Sequence, residues 1–136
     1  MIGQTIDNRY HIESLIGRGG MGAVYQATDL TEDRPVALKV LHFFLDSRTE
    51  AALTRFHREF RVLARLDHPN IMQAYAYGNH EDAPYLVLEL LAGQTLAEAL
   101  ATDPLDRDRQ LLIARQICEA LLHMHAQSIV HRDLKP

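Results

Sequence analysis

Three glycines between two strand-like segments constrain the fold of this chain more than any other feature. Residues 17–22 read GRGGMG, so Gly17, Gly19 and Gly22 follow the pattern G-x-G-x-x-G. A loosely alternating segment, residues 9–16, precedes them, and a short β-favouring segment, residues 23–28, follows. Glycines at this spacing let a backbone approach phosphate oxygens closely and direct its N–H groups at them.

The glycine pattern alone fits three structures, and its context separates them. It occurs in the strand-to-helix turn of a dinucleotide site, in a hairpin that covers a nucleotide, and in plain glycine-rich turns. A dinucleotide site needs a helix directly after the glycines and an acidic residue about 20 residues further on. Here Val24 opens a second strand instead, and the next strand ends in VALKVL without an acid. The sequence therefore favours a hairpin folded over a nucleotide.

The strand RPVALKVL, residues 34–41, carries a lysine among apolar residues. Alternation along a strand places Val36, Leu38 and Val40 on one face and Lys39 on the other. A solvated edge-strand charge is the plainer interpretation of such a lysine. However, a lysine with apolar neighbours on both sides needs an anionic partner when the strand is buried.

An amphipathic helix follows and supplies a candidate partner. The capping box SRTE, residues 47–50, opens it. Apolar residues then recur at spacings of three and four, which predicts one buried stripe. The stripe consists of Leu53, Phe56, Phe60 and Leu63. Glu59 lies beside this stripe, so a helix packed on the sheet would bring its carboxylate to Lys39.

The rest of the chain changes from strands to helices. Two further strand patterns, residues 71–78 and 83–90, predict a hairpin around NHED. After Gly93 a second capping box, TLAE, opens a short helix, and a long helix is expected over residues 106–126. The apolar residues of the long helix are Leu111, Ala114, Ile117, Leu121 and Met124, and Cys118 is expected to be buried there. Five strands with one helix after the third, followed only by helices, predict an α+β fold.

Composition excludes several classes of protein. The chain has 136 residues, of which 47% are hydrophobic and 24% charged, and this excludes a disordered or collagen-like protein. A net charge of -4 argues against nucleic acid as a partner. No uninterrupted apolar segment is long enough to predict a membrane span, and a single cysteine fits a reducing compartment, so we expect a cytoplasmic protein. His123 and His125 face different directions on a helix, so no metal site is predicted.

Five motifs occur in the order and at the spacings found in protein kinases: IGRGGMGAVYQA, VALKVL, Glu59 nine residues before HPNI, YLVLEL and HRDLKP. The chain resembles the N-lobe and first C-lobe helices of a Ser/Thr protein kinase, and is most similar to bacterial Hanks-type enzymes. The resemblance implies a five-stranded antiparallel sheet with an αC-type helix, followed by the first helices of an incomplete α-helical C-lobe. It divides the chain into an N-terminal extension (1–8), the N-lobe and hinge (9–91) and the start of the C-lobe (92–136).

The resemblance also assigns nucleotide-binding roles by position. The glycines at 17, 19 and 22 would cover the phosphates. Lys39 would hold the α and β phosphates, with Glu59 as its ion-pair partner. The residues expected around the adenine are Ile16, Val24, Ala37, the gatekeeper Leu88, and the backbone of Glu89 and Leu91.

Two residues near the end of the sequence are assigned to catalysis by the same resemblance. Asp133 would accept the proton of the substrate hydroxyl, and Lys135 would lie near the γ-phosphate, as in Ser/Thr-specific members. The implied activity is ATP-dependent phosphorylation of serine or threonine in a protein substrate, with ATP and Mg²⁺ as cofactors.

The magnesium-binding Asn and Asp-Phe-Gly of the family are absent from these 136 residues. We therefore expect a fragment that holds no metal ligand and is inactive by itself. The alternatives are a non-catalytic kinase-like module that binds a nucleotide or a partner, and a broken reading frame with no stable product.

Overall fold

The computed structural model describes residues 1–19, 22–41, 50–81, 83–102, 104–131 and 134–135; the side chains at positions 50–53, 55, 56 and 59 lie outside this description. The elements in chain order are β1 (Thr5–Ile6), β2 (Tyr10–Gly19), β3 (Gly22–Asp29), β4 (Arg34–Leu41), α1 (Glu50–Leu63), β5 (Ala74–His80), β6 (Ala83–Glu89), α2 (Leu96–Thr102) and α3 (Arg107–Ala126). The predicted succession of strands, one helix, two strands and then helices is confirmed, with one additional strand at the N-terminus, so that the helix follows the fourth strand and not the third.

The strands form one six-stranded antiparallel sheet in the order β1-β2-β3-β4-β6-β5. The strand beyond the five predicted is β1, which pairs Thr5 with His11 and Ile6 with Tyr10. A two-residue strand is too short to show the alternation by which sequence reveals strands. Ile6 is nevertheless fully buried, so part of the expected N-terminal extension belongs to the sheet.

The two faces of β4 carry different cores, as its alternation predicts. Val36, Leu38 and Val40 belong to the larger core. The other members of this core are Ile6, Tyr10, Ile12, Ala23, Tyr25, Ala27, Tyr85 and Val87. Ala37, between Val36 and Leu38, belongs instead to a second cluster on the opposite face. The sheet is therefore buried on both sides around β4, and only the second face carries Lys39.

A tyrosine of β6 ties the N-terminal segment to the larger core. The hydroxyl of Tyr85 donates a hydrogen bond to the carboxylate of Asp7, and its ring meets that of Tyr10 edge-on, with centroids 6.0 Å apart. A Cβ at Gly78 would overlap the Tyr85 ring, so only glycine leaves room for it. Burial, and then the bond to Asp7, raise the pKa of the Tyr85 hydroxyl above its usual value.

Replacing Tyr85 with phenylalanine is expected to lower the free energy of unfolding by about 1–2 kcal/mol, because Asp7 loses a charge-assisted hydrogen bond while the packing is kept. Urea denaturation followed by circular dichroism measures the change. Tyr75→Phe is the matched control, since the Tyr75 ring is half-buried and its hydroxyl has no hydrogen bond in the described part of the chain. Equal effects of the two variants would contradict the role given to Asp7.

Helix α1 packs on the sheet through Phe60, whose ring lies 4.7 Å from that of Tyr77, centroid to centroid. The prediction that Phe60 is buried is confirmed. The prediction for Leu63 is wrong, because its side chain is 40% exposed in the last turn of the helix. The stripe drifts away from the sheet at this end, as a spacing of three or four residues only approximates the 3.6-residue turn. The predicted capping residue Ser47 lies outside the described residues.

The N-terminus of α2 is capped as the sequence predicts, and the N-terminus of α3 is capped as well. Thr95 and Glu98 form a reciprocal capping box, in which the Glu98 N–H donates to the Thr95 hydroxyl and the Thr95 N–H donates to the Glu98 carboxylate, at 3.2 and 2.7 Å. The hydrogen bonds that the Thr95 N–H and hydroxyl donate to the Glu98 carboxylate lower the pKa of Glu98. Asp106 caps α3 by accepting the Arg109 N–H at 2.8 Å.

The burial predicted for Cys118 is wrong, because its side chain is exposed. On α3 it shares a helix face with Leu111 and Leu122, seven residues before it and four after it, and both are exposed. Among the described residues of α3, only Met124 of the predicted apolar stripe is buried. The apolar residues of α3 therefore recur at helical spacing, but the described residues leave the face that carries Cys118 exposed.

The chain divides into two compact units. The first comprises Met1–Arg65 and Gln73–Leu91, and so contains the sheet and α1. The second comprises Leu66–Met72 and Ala92–Pro136, and so contains α2 and α3. None of the described helices combines the length and hydropathy that a bilayer crossing needs.

Candidate functional site

The glycine segment is a hairpin, as predicted, and not a strand-to-helix turn. Gly19 pairs with Gly22, and Gly17 pairs with Val24, across β2 and β3. Val24 in turn pairs with Lys39 on β4. The glycine hairpin is thus continuous with the strand that carries the lysine, and Val24 lies between Gly17 and Lys39.

The glycines of this hairpin serve two different purposes. A Cβ at Gly17 or Gly19 would meet no other atom within 4 Å, so packing does not require glycine there. A Cβ at Gly22 would overlap the backbone carbonyl oxygen of Val40 and lie 3.0 Å from the Cα of Leu41. Gly22 is therefore needed for close pairing of β3 with β4, whereas Gly17 and Gly19 leave the hairpin open to a ligand.

Replacing Gly22 with alanine is expected to lower the free energy of unfolding by about 1–3 kcal/mol, because the added methyl group forces β3 and β4 apart. Gly19→Ala, in the same hairpin, is the matched control and is expected to change it by less than about 0.5 kcal/mol. Thermal denaturation of both variants measures the difference. A Gly22→Ala variant as stable as Gly19→Ala would show that the strands separate without strain.

Lys39 lies half-buried on the face of β4 that α1 covers. Phe60, the residue after Glu59, is buried in one cluster with Ala37 and Leu88. Lys39 and Ala37 share a face of β4 because they are two residues apart. Helix α1 thus packs on the face of β4 that carries Lys39. The side chain of Glu59 lies outside the described part, so its pairing with Lys39 stays a prediction.

The residues expected around an adenine all lie in the first unit. Ala37 and Leu88 are buried in one cluster, against which Val24 packs. Ile16 and Leu91 are 54% and 63% exposed. The structure thus brings Val24, Ala37 and Leu88 together and leaves the side chains of Ile16 and Leu91 exposed.

Two hydrogen bonds between Glu89, at the end of β6, and Gln73 were not predicted from the sequence. The backbone N–H of Glu89 donates to the carbonyl oxygen of Gln73 at 2.8 Å, and the Glu89 carboxylate accepts the N–H of Gln73 at 3.0 Å. Since its N–H is occupied, backbone recognition of a base by Glu89 must use its carbonyl oxygen. The one sequence signal was an acidic residue at the end of an apolar strand.

Comparison with known proteins settles the family. Residues 10–136 match the protein kinase domain. The chain belongs to the protein kinase domain family. It is 44% identical over 137 aligned residues to serine/threonine-protein kinase PrkC of Bacillus subtilis, covering 100% of this chain and 21% of that protein. It is 42% identical over 137 residues to serine/threonine-protein kinase pkn3 of Myxococcus xanthus, covering 99% of this chain and 25% of the relative.

Solved kinase structures agree with this fold. The kinase domain of Mycobacterium tuberculosis PknI superposes with a TM-score of 0.82 at 27% identity, covering 100% of this chain and 55% of that domain. The chain therefore spans about half of this solved kinase domain, and 21–25% of the length of the two curated kinases.

The kinase motif HRDLKP is only partly within the described structure. Asp133 lies outside the described residues, and Lys135 is exposed in the second unit. The described residues contain no group of three or more His, Cys, Asp or Glu that could hold a metal ion.

Proposed function

We propose that this chain provides the ATP-binding part of a Ser/Thr protein kinase, which transfers the γ-phosphoryl group of ATP to serine or threonine in a protein substrate. The observation that carries this proposal is the register of the sheet, in which Gly17, Val24 and Lys39 follow one another across β2, β3 and β4. This register supports the proposal that a backbone able to bind phosphate and the Lys39 cation belong to one site.

Each part of ATP has a counterpart among the residues of the first unit. The N–H groups of the hairpin containing Gly17 and Gly19 bind phosphate oxygens, because neither glycine has a neighbour that would obstruct their approach. Lys39 binds the α and β phosphates as a cation, with Glu59 orienting it. The adenine packs beneath Ile16, Val24 and Ala37, beside the gatekeeper Leu88, with the backbones of Glu89 and Leu91 at its edge.

Asp133 and Lys135 act on the transferred group in this proposal. Asp133 orients the substrate hydroxyl and accepts its proton, and Lys135 offsets charge on the γ-phosphate. The metal-binding Asn and Asp-Phe-Gly of protein kinases are not among the 136 residues. The chain by itself is therefore proposed to bind ATP and not to transfer phosphate.

Calorimetric titration of the purified chain with ATP and with adenosine tests the binding. ATP is expected to bind more tightly than adenosine, because Lys39 and the glycine hairpin contact only the phosphates. Equal binding would refute the phosphate site. Failure to bind either ligand would refute the nucleotide site and favour a module that binds a partner.

A radiolabelled phosphotransfer assay with Mg·ATP and a serine-containing protein tests the second half of the proposal. No incorporation above that of a Lys39→Met chain is expected. Turnover that the Lys39→Met substitution abolishes would show that the 136 residues suffice for catalysis.

A further inference from the structure

Two histidines join the loop after α1 to helix α3 within the second unit. The loop, Leu66–Met72, begins with a buried leucine, Leu66. The ring of His68 in this loop lies 5.2 Å from the ring of His123 on α3, centroid to centroid, with the planes tilted by 40°. Both side chains are half-buried.

The hydrogen bond of His68 requires a neutral imidazole. Its Nδ1 accepts the backbone N–H of Asn70 at 3.1 Å, and its carbonyl oxygen accepts the N–H of Ile71 at 3.0 Å. A backbone N–H can only donate, so Nδ1 must be without a proton. Protonation of His68 would put a second donor in front of the Asn70 N–H and break this turn.

The side-chain contact of His123 does not require a neutral ring. Its Nε2 lies 3.0 Å from the side-chain nitrogen of Gln127, one helical turn later. The Gln127 amide can turn round and offer its oxygen instead, so this contact survives protonation. The contact of His68 cannot adapt in this way, because its partner is the backbone N–H of Asn70, which can only donate.

Acidic residues lie near both rings in the sequence. Asp67 precedes His68, and Glu119 lies one turn before His123, but the Glu119 carboxylate is bonded to Arg115 at 2.7 Å. Across the described residues, neither ring forms an ion pair with Asp or Glu.

The second unit also contains further bases. His125 follows on α3, and His131 and Lys135 lie in the segment after it. Two protonated rings at this separation would repel each other.

We propose that His68 and His123 form a pH-sensitive clasp, which holds the loop Leu66–Met72 on α3 when both rings are neutral and releases it when they are protonated. Release occurs as the pH falls, because protonation removes the acceptor of the Asn70 N–H and creates two adjacent cations. Histidine takes up its proton in the range in which cellular pH varies. The clasp does not depend on the proposed phosphotransfer.

Nuclear magnetic resonance of the ¹⁵N-labelled chain tests the clasp in two steps. At about pH 7.5 the imidazole nitrogens of His68 should report an unprotonated Nδ1 and a protonated Nε2. Between about pH 7.5 and 5.5, the protection factor of the Asn70 amide should fall about tenfold, as expected for loss of one hydrogen bond. Amides of the sheet, such as those of Leu38 and Val87, should keep their protection.

Two variants test how each ring contributes to the fall in Asn70 protection. His68→Asn keeps a side-chain oxygen that can accept the N–H two residues on but does not titrate, so the fall in Asn70 protection should disappear. His123→Phe keeps a ring beside His68 and the Nδ1 acceptor of His68 but removes the second cation, so the fall should persist at a smaller size. The proposal is overturned if His68 carries a proton on Nδ1 at neutral pH, if Asn70 keeps its protection in the wild type, or if His68→Asn leaves the fall unchanged. Simultaneous loss of sheet protection would equally overturn it, because that is global unfolding.

Discussion

Replacing Lys39 with methionine is expected to weaken ATP binding about 10- to 100-fold, because a charge-assisted hydrogen bond to phosphate contributes about 1.5–3 kcal/mol. Methionine keeps the length and flexibility of the lysine stem but not its charge. Lys39 is only half-buried, so the free energy of unfolding should change by less than about 1 kcal/mol. Calorimetric titration with ATP measures the loss, and thermal denaturation checks the fold.

Arg107→Met is the charge-matched control for this experiment. Arg107 is an exposed residue in the first turn of α3, in the second unit, so removing its charge should leave ATP binding unchanged. Adenosine provides a second control, since a ligand without phosphates should bind wild type and Lys39→Met equally. A Lys39→Met chain that binds ATP like the wild type would remove Lys39 from the phosphate site.

Replacing Asp29 with alanine is expected to lower the free energy of unfolding by about 2–4 kcal/mol, because several donors lose a buried charged acceptor. Asp29 is 1% exposed at the end of β3. Its carboxylate accepts two hydrogen bonds from Arg9, at 2.8 and 2.7 Å. It also accepts the backbone N–H groups of Thr31 and Glu32, at 3.1 and 3.4 Å. Urea denaturation at neutral pH measures the loss.

The same carboxylate should make stability depend on pH. The hydrogen bonds from Arg9 lower the pKa of Asp29 below its usual value, and the backbone N–H groups add to this effect. Because the pKa is lower in the folded chain, the stabilisation is complete above the unfolded value of about 4 and is lost as the pH falls through the folded value.

Asp29→Asn isolates this contribution, since it keeps an acceptor oxygen and the side-chain volume but cannot ionise. Its unfolding free energy should be lower than that of the wild type at neutral pH, and the difference should shrink below about pH 4. Urea denaturation at several pH values measures it. A difference between the two chains that stays constant down to pH 2 would show that the Asp29 charge contributes nothing.

The sequence by itself determined the family and every element except β1. Alternation placed Val36, Leu38 and Val40 in one core, glycine spacing between strands predicted the hairpin, and capping residues located the start of α2. These features depend on residues a few positions apart, so each segment shows them regardless of what it packs against. The kinase motifs added the positions of the candidate site, although the Lys39–Glu59 pair stays a prediction.

The tertiary structure alone decided which side chains meet across the sheet and which faces are covered. Asp29 meets Arg9 20 residues away, Gln73 meets Glu89 across 16 residues, and Tyr85 meets Asp7 across 78. Strand pairing and loop paths bring these groups together, and no local pattern records those paths. The same reason explains the exposed Cys118 and Leu63. Periodicity identifies the apolar face of a helix, but burial depends on whether another part of the molecule lies against it.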